Sequence, residues 1–292
     1  MLMLSLVGEQ PLPNLLPAYF LKPEAVVLIH TERTKRVSGR LAKMLSQATP
    51  LEVDPYDILE IEQAIRTEIG KSQRPATELV FNLTGGTKAM ALAAYRLAEA
   101  MRAAFVYFQT EGRQSRLYQY GWNSDGQPEL LQQADLPGLI SIKDYVTAHT
   151  GTFQITGPSK QAGGHFEAAI ASILRGVVDE VEVGVKFSGA LDADLIIRSG
   201  NRIAMIEAKT GGRARSKEGI DQLNTIAGPE YFGTYTTKIL IIDQEWDKTR
   251  SNLRKLAEAR NITIVELPGY NTTGVIDAVE AQRLIDLVKA KL

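Results

Sequence analysis

Apolar positions in the first third of the chain fall into short unbroken runs separated by stretches with helical spacing. Residues 3–7, 25–30, 79–83 and 104–108 read as buried strands, and 37–46, 58–69 and 88–102 repeat apolar residues three and four apart, as helices do. Strand–helix alternation of this kind predicts a parallel, doubly wound, Rossmann-like sheet.

From 121 to 164 the chain turns polar and rich in Gly, Pro, Ser, Thr and Gln, with one modest helical patch at 140–148. This stretch reads as a linker, with the domain boundary near Pro158, giving a first domain over 1–157 and a second over 158–292. The second reads as a helix (165–176), a strand (180–187), a hairpin (192–209) and a helix (217–227). A strand (238–243), a helix (249–260), a strand (262–266) and a closing helix (278–292) follow. The expectation is a mixed α/β domain with at least one antiparallel pair.

A length of 292 residues suits two domain cores better than one. Lys and Arg number 33 against 34 Asp and Glu, so bulk positive charge cannot drive nucleic-acid binding and any such contact must be local. The absence of cysteine excludes disulfides, thiolate nucleophiles and Cys-ligated zinc, and the scattered His30, His149 and His165 form no histidine-rich metal signature. A metal would have to be held by carboxylates. The N-terminal apolar run is too short for a membrane span and lacks a basic leader, so the expectation is a cytoplasmic protein without membrane contact.

Candidate chemistry concentrates in the predicted hairpin. With Gly200-Asn201 as its turn, Ser199 faces Arg202, Asp194 faces Glu207 and Asp192 faces Lys209, all four charged side chains on one side. Ala193, Leu195, Ile197, Ala204, Ile206 and Ala208 take the other side and fix the register. Opposed carboxylates cost a plain strand about 0.2–1 kcal/mol, a penalty that a divalent cation removes. Mg²⁺ or Mn²⁺, hard ions that keep several waters, fit two carboxylates plus a substrate phosphate. Lys209 then stands where it can orient or deprotonate an attacking water, a set suited to phosphodiester hydrolysis. The competing reading is a solvated charged face in which Asp192 and Lys209 form a surface ion pair of little energetic value.

Glu167 in Gly-Gly-His-Phe-Glu, then Asp194, then Glu207-Ala208-Lys209, in this order of helix and hairpin, resembles the PD-(D/E)XK nuclease superfamily in its restriction-endonuclease-like form. The resemblance implies that Asp194 and Glu207 bind metal, that Lys209 assists catalysis, and that Glu167 adds a carboxylate from the neighbouring helix. The proline expected before the first aspartate is absent. Gln222 matches an accessory polar position of some relatives, or is an exposed helical glutamine. Arg213, Arg215 and Lys217 are placed to reach a nucleic-acid backbone, or belong to a solvated loop.

In the first domain, 78–90 reads as a buried strand, a small-residue turn and a helix, a turn that a parallel sheet places at its ligand-binding carboxyl edge. Gly85 and Gly86 let the backbone approach a ligand, while Thr84, Thr87, Lys88 and the helix N-terminus favour a phosphorylated one. The spacing is not that of a P-loop, and a plain strand–helix turn is the alternative. Leu-Thr-Gly-Gly-Thr-Lys-Ala-Met, with Val-Gly-Glu-Gln-Pro-Leu-Pro-Asn near the start, resembles the CARF domain of type III CRISPR ancillary effectors. It is similar in particular to those in which that domain precedes a PD-(D/E)XK module.

The resemblance implies a homodimer that binds cyclic oligoadenylate, tetra-adenylate being the expected ring, and is thereby switched on to cut single-stranded RNA, DNA or both. The implied contacts are Gly8 to Gln10, Thr31 to Thr34, and Thr84 to Lys88. Two other readings stand beside it: a cyclic-nucleotide-responsive regulator without nuclease activity, and a ligand-independent restriction or repair nuclease.

Overall fold

The structure is a computed structural model describing residues 1–160, 162–187, 191–228, 231–233, 236–247 and 251–292. The chain divides into two compact units, Met1–Leu139 and Ile140–Leu292.

The first unit contains β1 (Leu2–Leu6), α1 (Leu12–Leu21), β2 (Ala25–His30), α2 (Lys35–Met44), β3 (Ala48–Glu52), α3 (Ile58–Ser72), β4 (Leu79–Asn82), α4 (Lys88–Met101), β5 (Ala104–Glu111), β6 (Gln114–Trp122) and β7 (Pro128–Asp135). Its seven strands run in the order β3-β2-β1-β4-β5-β6-β7. The first five are mutually parallel and the last two add an antiparallel meander. β1 is buried along its whole length, as a central parallel strand covered on both faces must be. Asp57 caps α3 by accepting from the N–H groups of Leu59 and Glu60, and Ile61, Ile65 and Ile69 then fall on one buried stripe. Opposite lies the stripe of α4, Met90, Ala94 and Leu97, in the same core as Phe81.

Three of the elements absent from the sequence reading have a physical reason for being hidden. α1 hides behind Pro11, Pro13 and Pro17; a first-turn proline is tolerated because no helical N–H is needed there. β3 contains Pro50, admissible because β3 is an edge strand. β7 is exposed along nearly its entire length, so it has no buried face to leave an apolar alternation. The expected linker from 121 therefore begins inside the sheet, with the end of β6 and all of β7, and continues into α5 and β8.

The second unit contains α5 (Ile142–Thr150), β8 (Gln154–Ile155), α6 (Ala162–Leu174), β9 (Glu180–Lys186), β10 (Asp192–Ser199), β11 (Arg202–Lys209), α7 (Glu218–Ile226), β12 (Thr236–Ile242), α8 (Ser251–Ala259), β13 (Ile262–Glu266), α9 (Pro268–Thr273) and α10 (Ala278–Lys291). The division thus falls earlier than the expected position near Pro158, because the buried side chains of α5 pack in this unit, Tyr145 stacking on Phe232. The expected helix over 249–260 begins at a residue outside those described.

The six strands run β13-β12-β11-β10-β9-β8. β11 is antiparallel to β10 and parallel to β12, making this the expected mixed α/β sheet. α6 lies on the face carrying Leu195, Ile197, Ala204 and Ile206, its Phe166, Ile170 and Leu174 filling that core. The opposite face holds Ile196, Met205 and Glu207, also buried, and is covered by α7. Neither side is the solvated surface that a charged face would suggest.

Candidate active site and ligand-binding edge

The hairpin forms in the expected register from Ser199–Arg202 to Leu195–Ile206. Only Gly200 takes a positive φ, 59°, at its turn. Beyond Leu195 the backbone pairing between β10 and β11 stops, one step short of Asp194 and Glu207. There the Asp194 carboxylate itself accepts the Ala208 N–H at 2.8 Å. Asp192 faces Lys186 of β9 and is exposed, so it does not meet Lys209 as the simple count suggests; the parting of the strands gives Lys209 other partners.

Those partners are the two carboxylates. Lys209 Nζ donates to Glu207 Oε2 at 2.6 Å and to Asp194 Oδ2 at 3.2 Å. Glu207 is 1% exposed and Lys209 6% exposed, while Asp194 borders the cleft with 21% of its side chain exposed, so this is not a surface ion pair. Two carboxylates and one ammonium leave one uncompensated negative charge when all are ionised. Burial, then the Asp194 charge, pushes the Glu207 carboxyl well above the usual carboxylate range. Burial opposes the charge on Lys209, but Glu207 and Asp194 outweigh it and hold the ammonium above its ordinary pKa. Among the described residues Glu207 Oε1 is buried with no hydrogen-bond partner, a costly arrangement for a carboxylate oxygen.

Glu167 projects from α6 toward the same place. Burial, then Asp194, raises its pKa, and its Oε2 accepts the Ser159 N–H at 3.3 Å. Glu167, Asp194, Lys209, Ser159, Thr210 and Arg213 border a cleft of about 610 Å³. Of the basic residues after β11, Arg213 reaches this cleft, Arg215 bonds Gln244, and Lys217 pairs with Asp221 at 3.6 Å. Gln222 borders a different groove with Leu191 and Asp192, its Oε1 buried and unpartnered. Among the described residues no three His, Asp or Glu side chains converge as a metal cage. The oxygen donors that do meet are Asp194 and Glu207. The sequence reading missed Ser159 and also Asp243, which sits 3% exposed just past β12.

In the first unit, β1, β2 and β4 end at one edge because they are parallel, which brings the 7–11, 31–34 and 83–87 loops together. A Cβ on Gly85 would lie 2.1 Å from the Leu6 carbonyl oxygen, and one on Gly8 3.4 Å from the Gly86 nitrogen. The glycine at 85 is what lets the two loops touch, Gly8 having room for a side chain, and Gly86 takes a φ of 73°. The threonines are engaged internally. Thr87 caps α4, accepting the Met90 N–H at 3.2 Å and donating to the Pro55 carbonyl at 2.7 Å. Thr84 donates to Asn82 Oδ1 and accepts the Phe108 N–H, both within 2.8 Å. Thr31 and Thr34 are buried and bond each other.

Lys88 is exposed at the start of α4, and Glu9 pairs with Arg33 across the loops. Beneath them lies a buried network that sequence reading missed: Asn14 and Asn82 both donate to Ser5 Oγ, at 2.8 and 3.0 Å. A single Ser or Asn inside an apolar run marks it.

Residues 2–145 match the family model of the Card1 CARF domain. The N-terminal unit is a CARF domain. The chain is a CARF-domain protein whose second unit is built on a mixed α/β sheet. No curated protein matches its sequence. Among solved structures it is similar to Can2 from Sulfobacillus thermosulfidooxidans in complex with cyclic tetra-adenylate (cA4). That match has 15% identity and a TM-score of 0.71, covering 100% of this chain and 99% of the other. It is similar also to protein VC1899 from Vibrio cholerae, with 12% identity and a TM-score of 0.73 over 99% and 98% of the two chains. A type III CRISPR defence DNA nuclease activated by cyclic oligoadenylate matches at 17% identity and TM-score 0.63, over 85% of this chain and 46% of that one. This chain thus spans about half of that protein. No helix among the described residues is long and apolar enough to cross a membrane.

Proposed function

We propose that this protein is a cyclic-oligoadenylate-activated, metal-dependent endonuclease of type III CRISPR antiviral defence, acting on single-stranded RNA or DNA. The observation that carries the catalytic half is the buried meeting of Lys209 with Asp194 and Glu207 at the parting of the hairpin, beside a cleft large enough for a phosphodiester. A structural ion pair needs one carboxylate for one ammonium, whereas two converge on Lys209 here beside the cleft.

A divalent ion fits this donor set: Asp194 and Glu207 would hold Mg²⁺ or Mn²⁺, with waters and a substrate phosphate completing the shell. Bound there, the ion supplies charge stabilisation at the attacked phosphate and a more acidic water. This chain's own residues do the rest. Lys209 holds its proton and is placed to donate to a phosphate oxygen or orient the attacking water. Glu167, its carboxyl raised by burial, can hold a proton at Oε1 toward the cleft. Arg213 offers a guanidinium to the substrate backbone.

For the sensing half, the ligand site is the edge formed by Gly8–Gln10, Thr31–Thr34 and Thr84–Lys88, on which cyclic tetra-adenylate is the expected occupant. Gly85, Gly86 and Lys88 are the direct contacts, and the threonines hold the loops in shape. A ring spanning two copies in a homodimer favours one arrangement of the subunits and so shifts the population toward the cutting state.

The test is to incubate purified protein with Mn²⁺ or Mg²⁺ and labelled single-stranded RNA and DNA, with and without cyclic tri-, tetra- and hexa-adenylate. Solution mass is measured alongside. Cleavage only with metal and one ring supports the reading. Cleavage without any ring makes it a ligand-independent nuclease, and tight ring binding without cleavage makes it a regulator.

A further inference from the structure

The loop that follows Lys209 and carries Arg213 to the cleft is held from outside the hairpin. The peptide unit of Gly211 is gripped on both sides. Its N–H is shared by the two carboxylate oxygens of Asp243, at 3.1 and 3.0 Å, and its carbonyl accepts from Gln244 Nε2 at 2.9 Å. Two residues further on, Trp246 Nε1 donates to the Ala214 carbonyl at 2.7 Å, with its indole 3% exposed. Trp246 is itself fixed, its N–H donating to Glu266 and its carbonyl accepting from Arg254. This geometry exists because β12 is parallel to β11, so the residues leaving both strands emerge at one edge.

Burying a carboxylate is costly, and Asp243 spends both oxygens on one backbone N–H. Arg213, between the two anchored points, is exposed, forms no ion pair among the described residues, and borders the cleft. We propose that Asp243, seconded by Trp246, is a positioning residue that fixes the 211–214 loop so that Arg213 meets a phosphate of the nucleic-acid substrate. This rests on the nuclease reading above and deepens it. Asp243 touches no substrate; it acts through Arg213.

The experiment is a double-mutant cycle on the activated full-length protein, reading kcat and KM for cleavage of a labelled single strand. In parallel, equilibrium affinity for the uncleaved strand is measured without metal, and thermal stability is recorded for every variant. Arg213→Ala and Asp243→Ala should each raise KM and weaken strand affinity about 10-fold, the worth of one charge-assisted hydrogen bond, with kcat within about 3-fold. Asp243→Ala/Arg213→Ala should be no worse than Arg213→Ala alone. Asp243→Asn keeps one acceptor and should recover most of the loss. Trp246→Phe keeps the ring but loses the bond to Ala214, and should reproduce a smaller KM increase even if Asp243→Ala does not fold.

Additive losses in the cycle, unchanged KM and affinity in Arg213→Ala, or a kcat loss without a KM change in Asp243→Asn and Trp246→Phe would each overturn the proposal. A wild-type protein that binds the strand but never cuts it sinks the nuclease reading and leaves the affinity arm to decide the role of Asp243. One that does not bind the strand at all sinks both.

Discussion

Gly219 of α7 passes so close to Lys209 of β11 that a Cβ on the glycine would stand 3.2 Å from the lysine Cγ and 2.6 Å from Leu240 Cδ1. The helix presses the lysine stem toward the two carboxylates, and the missing side chain is what permits it. Gly219→Ala should therefore displace Lys209, lowering cleavage about 10-fold or more while costing about 1–3 kcal/mol of stability through overpacking. Initial rates and a denaturant titration measure the two effects. Full activity in this variant would mean that the lysine position is not critical.

Removing the trio itself has a sharper expected result. Glu207→Ala and Lys209→Ala should each reduce cleavage by at least about 100-fold while leaving affinity for cyclic tetra-adenylate unchanged, since the sensing loops lie in the other unit. Chelation of divalent ions should stop the wild type, and added Mn²⁺ should restore it. Calorimetric titration of the ring together with a gel-based cutting assay separates these outcomes. Wild-type cutting by either variant would remove the trio from the active site.

Burial, then Asp194, holds the proton on Glu207 to higher pH in the fold than in the unfolded chain. A raised folded pKa contributes stability that is complete below the unfolded value, near 4.5, and is lost as pH rises through the folded one. Glu167 and Asp243 share this sign, so the difference between variants is the informative quantity. In metal-free buffer the melting temperature should fall from acid toward neutral pH more steeply in wild type than in Glu207→Gln. Parallel curves would show that Glu207 is not strained by burial.

At the sensing edge, Lys88→Ala should raise the concentration of cyclic tetra-adenylate needed for half-maximal activation by about 10-fold without altering the rate at saturation. Gly85→Ala should be harsher, because its methyl group meets the Leu6 carbonyl and forces the loops apart. Titrating the ring against cutting rate checks both. An unchanged activation curve for Lys88→Ala would move the ligand elsewhere.

Much of the second unit was legible in the sequence because its hairpin has one continuous apolar face, and a period of two admits a single register. That register ran true to Leu195–Ile206 and then misled by one pair. Nothing in a residue count says that a side-chain oxygen will replace a backbone partner, so Asp192 was assigned a contact that Asp194 makes instead. β7 was unreadable for the opposite reason, since an exposed edge strand imposes no pattern on its residues. The Gly-Gly turn lies, as expected, at the carboxyl edge of the parallel sheet. The buried Ser5–Asn14–Asn82 network beneath it spans residues far apart in the chain, linked only once the sheet is assembled.

Past the parting of β10 from β11, Asp194 is held to β11 by side-chain bonds alone, accepting from the Ala208 amide and from Lys209 Nζ. The distance between the two carboxylates is therefore set by Lys209 and one amide, outside the backbone ladder that holds the rest of the hairpin.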